Sequence, residues 1–153
     1  MKKLLIFASL IFLISVTKIS AQDRNSVSAA EVNGTFRSNF SGKFKGSYNE
    51  VKILALGKGK LRVAFELVYP YMTGAGEMSA NTGTADGTAT IEGDTAVYSS
   101  DEFGQCKITI KFVKPGMIKI TQDSSDGGCG FGHNVNASGT YKKSSAAKPK
   151  FEQ

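Results

Sequence analysis

A single histidine, His133, stands in the run Gly132-His133-Asn134 and is the only imidazole in the chain. One imidazole excludes a His-based metal cluster, and a Ser-His-Asp triad would have to be built around this one residue. The acids Asp86, Glu92, Asp94, Asp101, Glu102, Asp123 and Asp126 fall in or near turn-forming residues, where solvated carboxylates are common. A glycosidase needs two of them at a fixed separation, which linear spacing does not supply. Asp123-Ser124-Ser125-Asp126-Gly127 lacks the alternating ligands and terminal bidentate Glu of a calcium loop. The glycines do not sit between a strand and a helix, so no phosphate cradle is written either. The inventory points away from an enzyme and implies no cofactor and no metal.

The remaining reactive residues are two cysteines, Cys106 and Cys129. Their chemistry depends on the compartment, and the first residues give an address. Lys2 and Lys3 form a basic start, Leu4 to Val16 is an apolar run, and Ile19-Ser20-Ala21 places a small residue before Gln22. The run is too short to span a hydrocarbon core, which needs about 20 apolar residues. A cleaved signal peptide over residues 1–21 is expected, with a secreted or periplasmic product and no stable membrane span after cleavage. No cysteine lies near the cut to accept a lipid. In an oxidising compartment a lone cysteine pair reads as a disulfide. Closing a loop of about 24 residues stabilises by roughly 3 kcal/mol in the chain-entropy model.

Removing the leader also changes the charge. The whole chain has 19 basic and 13 acidic residues and a net charge of +6. Lys2, Lys3 and Lys18 account for half of that excess, and Lys142, Lys143, Lys148 and Lys150 concentrate much of the rest near the C-terminus. The body between is close to balanced. Nucleic-acid binding would want a basic stripe with interleaved aromatics on a folded face, and none is evident.

The elements that must position these residues are strands. Apolar side chains recur with period two through most of the chain. Phe36, Phe40, Phe44 and Tyr48 suit one or two bent strands. Val51 to Leu56 and Leu61 to Tyr69 flank Gly57-Lys58-Gly59-Lys60 as a hairpin, and Pro70 is expected to stop the second strand. Tyr71 to Thr84 is small and loose, the longest connection and a candidate functional loop. Two further hairpins follow, Thr88–Ile91 with Thr95–Ser99 and Cys106–Val113 with Met117–Gln122, and a last strand lies near Asn136 to Lys142. The expectation is one all-β domain over residues 33–143, about eight antiparallel strands in a meander closed or nearly closed into a small barrel. A two-layer β-sandwich is the alternative, because periodicity does not separate the two. A flexible lead-in over 22–32 and a disordered tail over 144–153 complete the organisation.

Ala96-Val97-Tyr98, Cys106-Lys107-Ile108-Thr109-Ile110, Cys129-Gly130-Phe131-Gly132 and Ser138-Gly139-Thr140-Tyr141 together resemble the C-terminal part of small exported bacterial β-barrel domains. Some of those are periplasmic lysozyme inhibitors. The resemblance implies a barrel, and the inhibitors of that kind carry a Ser-Gly-x-Tyr loop that enters the lysozyme cleft. It implies binding roles for Ser138, Gly139 and Tyr141. Beside them His133, in its glycine-rich turn, and Tyr71, at the head of the loose connection, are candidate binding residues from position alone. The function expected is an exported, non-enzymatic binding protein of the cell envelope or extracellular space. Its partner is a protein or a small apolar ligand, with inhibitor-like and carrier readings as alternatives. The aromatic set Phe36, Phe44, Phe65, Tyr69, Tyr98 and Phe112 either lines a ligand cavity or fills the barrel, and the many small side chains favour filling.

Overall fold

A computed structural model describes residues 24–124 and 128–151. The leader, Asp126 and Gly127 lie outside them. The described chain is one closed antiparallel barrel in strict sequence order. Its strands are β1 (Gly34–Asn39), β2 (Tyr48–Gly57), β3 (Lys60–Met72), β4 (Met78–Glu92), β5 (Thr95–Ser100), β6 (Cys106–Lys114), β7 (Met117–Ser124) and β8 (Gly139–Ser145). The meander is therefore a barrel and not a sandwich. Closure comes from β8 pairing with β1, with Phe36 opposite Lys143 and Arg37 opposite Lys142.

Alternation decides which face of each strand goes inward. Leu61, Val63, Phe65 and Leu67 on β3, Ile108, Ile110 and Phe112 on β6, and Ile118 and Ile120 on β7 are all buried. Every second residue on a strand shares a face, so one register buries a whole apolar set. Phe36, Phe65, Tyr98 and Phe112 of the aromatic set are core residues, Phe44 is half-buried and Tyr69 is exposed. Phe65 and Tyr98 pack with ring centroids 5.7 Å apart and tilted planes, a favoured aromatic arrangement. The β2–β3 hairpin turns through Lys58 and Gly59, both at positive φ, as a twist-matched two-residue loop requires.

Two expectations about the middle of the chain are corrected. Pro70 does not end its strand: β3 continues to Met72, with Pro70 opposite Ala80. Ile91 on β4 donates to Gly59 O, so odd-numbered residues of β4 direct their amides at the β3 side. Even-numbered ones, and Pro70 opposite one of them, face away. The ladder between β2 and β3 begins only at Glu50 and Glu66, so no strand opposes the missing donor of Pro70. The loose connection from Tyr71 to Thr84 is likewise mostly strand. Its turn is confined to residues 73–77, closed by Thr73 N–H donating to Glu77 O at 2.8 Å. The small inward residues of β4, Gly83, Ala85, Gly87 and Ala89, lie opposite Leu67, Phe65, Val63 and Leu61.

Residues 24–32 of the expected flexible lead-in and 144–151 of the expected disordered tail make defined contacts. Ser28 and Glu31 form a capping box on a single helical turn, α1 (Ala29–Val32), and Val32 is buried in the core. Lys143 Nζ donates to the carbonyls of Ala30, Glu31 and Asn33 at 2.8–2.9 Å, satisfying acceptors at the end of that turn. Burial holds the Lys143 ammonium below its usual pKa, partly offset by Glu31. Arg24 donates through its backbone N–H to Asp94 Oδ2 at 3.1 Å and through its guanidinium to Glu31 and Phe112 O. At the other terminus β8 runs to Ser145, and beyond it Pro149 is buried while the Arg62 guanidinium lies 4.7 Å from the Phe151 ring centre.

These contacts make the N-terminal plug sensitive to acid. The Arg24 backbone N–H and the Thr95 hydroxyl hold the Asp94 carboxyl below its ordinary 3.8. The Arg24 side chain holds Glu31 below 4.5. A carboxyl lowered in the folded state contributes stability that is complete above its unfolded pKa and is lost as pH falls through the folded one. The Val32 and Asn33 amides, which close α1, are therefore expected to lose hydrogen-exchange protection below about pH 4 while the strand amides keep theirs. In D94N the loss should already be present at neutral pH and be flatter with acid. An acid-independent plug would contradict this reading.

Candidate functional site

The long β3–β4 hairpin organises one side of the barrel. β4 pairs with β3 from Met78 to Thr90, but with β5 only over Ala89, Thr90, Ile91 and Glu92. Between β4 and β5 the wall therefore parts into a seam. The segment from Cys129 to Asn134 fills part of it. Gly132 N–H donates to Thr82 O at 3.0 Å, Asn81 Nδ2 to His133 O at 2.8 Å, and Tyr98 OH to Asp86 O at 3.5 Å.

The fit at this seam is steric as well as polar. A Cβ on Gly83 would lie 2.7 Å from Phe131 Cδ1, and a Cβ on Gly132 would lie 2.7 Å from Thr82 O. Both positions exclude a side chain, so the ring and the loop backbone can close on β4. The disulfide from Cys106, at the start of β6, to Cys129 anchors this segment.

An open groove of about 960 Å³ runs from the outer faces of β2, β3 and β4 into the seam, where Phe65, Leu67, Ala85, Tyr98 and Cys129 also line it. Tyr48 lies at one end and Phe151 at another, with Lys52, Glu66, Thr84 and Asp86 along it and Phe103 and Gly130 at its seam side. Opposed charges lace its floor. Arg37 Nε lies 2.6 Å from Glu50, Lys52 bridges Glu50 at 3.7 Å and also pairs with Glu66, and Arg62 lies 3.0 Å from Asp86. Glu50 is only 7% exposed, and its carboxylate raises the pKa of Arg37. The Arg37 guanidinium also stacks over Tyr48, 4.0 Å from the ring centre, a favourable cation–π position.

Past the barrel rim the hairpin presents large apolar groups. Tyr69, Tyr71, Met72 and Met78 are exposed, Met78 to 62%, and Phe103 on the β5–β6 connection is 65% exposed. Scattered exposed apolar residues are ordinary on a protein surface. Four on one projecting ribbon, beside an open groove, form a surface suited to contact with a partner.

The residues expected to bind divide between this region and the core. Tyr71 stands on the projecting part of β3, opposite Ser79. His133 is exposed in the seam segment beside Asn134, so these two share one end of the barrel. Among the described residues His133 makes no side-chain hydrogen bond to an acid or hydroxyl, and no three His, Cys, Asp or Glu side chains converge as a metal site. Ser138 lies before β8, its Oγ accepting Gln122 N–H at 2.9 Å, and Gly139 begins β8 opposite Ile120.

Tyr141 is corrected from a binding residue to a core residue. It has no exposure, and its hydroxyl donates to Ala137 O at 2.8 Å. Burial pushes its phenol pKa up to about 12, against a smaller lowering from Asn49. The Ser-Gly-x-Tyr letters thus span the start of a strand, whose alternation turns Tyr141 inward. Sequence reasoning missed Glu66 and Phe151, and put Asp86 in or near a turn where it lies within β4. The alternation of β3, which puts Arg62 and Glu66 on the face opposite Leu61 and Phe65, was the signal for Glu66.

No family model, no curated protein and no solved structure matches this chain. The site is therefore read from its own geometry.

Valine favours strands, so G83V tests the seam through sterics rather than propensity. Its side chain meets the Phe131 ring. Overpacking of this kind costs about 1–3 kcal/mol, and urea unfolding should show a loss of that order. Hydrogen exchange should speed at Gly132 while β6 and β7 amides keep their protection. Unchanged stability and an unchanged Gly132 amide would mean that Phe131 does not close on β4.

Proposed function

We propose that this chain is an exported, non-enzymatic binding protein of the cell envelope or extracellular space, and that it takes a polypeptide partner along the β2–β4 groove. The observation that carries this reading is the open groove beside a hairpin whose projecting part bears exposed Tyr69, Tyr71, Met72 and Met78. A groove of this volume falls in the range of binding clefts. Its lining, charged at Lys52, Glu66 and Asp86 and apolar at Phe65, Leu67 and Tyr98, suits an extended chain that carries both kinds of side chain. The buried rings of Phe36, Phe65, Phe112 and Tyr141 occupy the barrel interior, which favours binding at the groove over binding inside the barrel.

Export is supported by the leader sequence over residues 1–21, and the disulfide is compatible with it. No helix among the described residues is long and apolar enough to cross a membrane. Expressed with its leader in a bacterial host, the protein should be recovered from the periplasm or medium. It should begin at Gln22 and be two hydrogens lighter than its reduced form. Recovery of the uncleaved chain with free thiols would remove the exported reading.

Binding is tested with a photo-reactive benzoyl group at Thr84, in the groove, and separately at Lys119, on the outer face of β7. In cells that make the protein, irradiation is expected to give discrete protein adducts from position 84 and none from position 119. Adducts from both or from neither would refute the groove as the binding surface.

A further inference from the structure

Ala146 to Phe151 lies outside the strand pairing, yet it reaches the groove. From β8 to β3 the barrel wall steps across β1 and β2, about 14 Å at 4.8 Å per strand. Six extended residues span at most about 20 Å, so the segment has the length to cross. It arrives with Pro149 buried and with the Phe151 ring over the Arg62 guanidinium, in the lining of the groove beside Lys52, Glu66 and Asp86.

The groove's Glu50, Glu66 and Asp86 are paired with Arg37, Lys52 and Arg62, and Glu102 adds a further carboxylate to its lining, while the tail carries Lys148 and Lys150 around Pro149. An extended segment that is cationic and carries an aromatic ring is already seated at one end.

We propose that the groove is a docking site for an extended, lysine-bearing polypeptide segment with an aromatic residue, and that the protein's own C-terminal tail is its intramolecular occupant. This rests on the groove being the binding surface. The aromatic ring of the incoming segment takes the place of Phe151 over Arg62, and its basic residues lie along Glu66, Asp86 and Glu102. A tail tethered six residues away acts at an effective concentration on the order of millimolar. It therefore keeps the groove closed to weak ligands and yields to stronger ones.

The probe is a fluorescently labelled peptide of residues 144–153, read by fluorescence polarisation against the full-length protein. F151A removes the competing ring without touching the core, and thermal melts check that it folds. F151A is expected to bind the peptide at least ten-fold more tightly than the wild type. Adding R62A to F151A is expected to weaken binding at least five-fold, and the peptide lacking its Phe should not bind. Equal binding to wild type and F151A would overturn the tail as occupant, as would no binding to F151A. If position 84 still gives adducts in that case, the groove reading survives and this inference alone falls. If it does not, both fall.

Discussion

An inequality in hydrogen bonding along one strand shapes the molecule. β4 has partners on β3 for thirteen consecutive residues and on β5 for four. A closed barrel removes free strand edges, but this one closes through its ends while leaving the first part of β4 open on one side. The free side needs other partners. Gly132, Tyr98 and the Asn81 contact with His133 supply some of them. The disulfide at Cys129 holds the segment that does so, and the groove is the part of the wall left uncovered.

The two ends of the barrel are handled differently. At the end where the chain enters, polar groups are engaged apart from the buried Arg24 Nε, which has no hydrogen-bond partner. Arg24, Glu31, Asp94 and Lys143 bind one another or backbone carbonyls, and Val32 sits beneath them. Interlocked contacts of this sort fix a plug in one position. At the opposite end the β3–β4 ribbon projects and exposes tyrosine and methionine side chains. Rigidity on one end and exposed apolar surface on the other are what a scaffolded binding surface requires.

Most of the barrel was legible in the sequence because large apolar residues mark period two in β3, β6 and β7. Of β4 only the end, read as Thr88 to Ile91, was legible, since the inward residues Gly83, Ala85 and Gly87 before it carry little apolar signal. Their smallness reads as loop until Phe131 and Tyr98 are seen packed against them. Pro70 misled for a related reason: its missing donor matters only where a strand lies opposite, and sequence does not tell where β2 ends. Of the candidate residues, Tyr71 and His133 lie at the projecting end, whereas Tyr141 is turned inward by the alternation of β8. Phe151 was hidden by its setting among Ser, Ala, Lys and Pro, which signals disorder by composition while saying nothing of a ring that finds Arg62.

The most direct test of the account is amide hydrogen exchange along β4 by NMR. Because odd-numbered residues face β3 and even-numbered ones face the seam, Ala85 and Gly87 should be strongly protected while Thr84 and Asp86 exchange quickly. That two-residue alternation is the signature of a strand with one open edge. Uniform protection from Gly83 to Gly87 would mean that another segment pairs there, and the groove beside it would not be open.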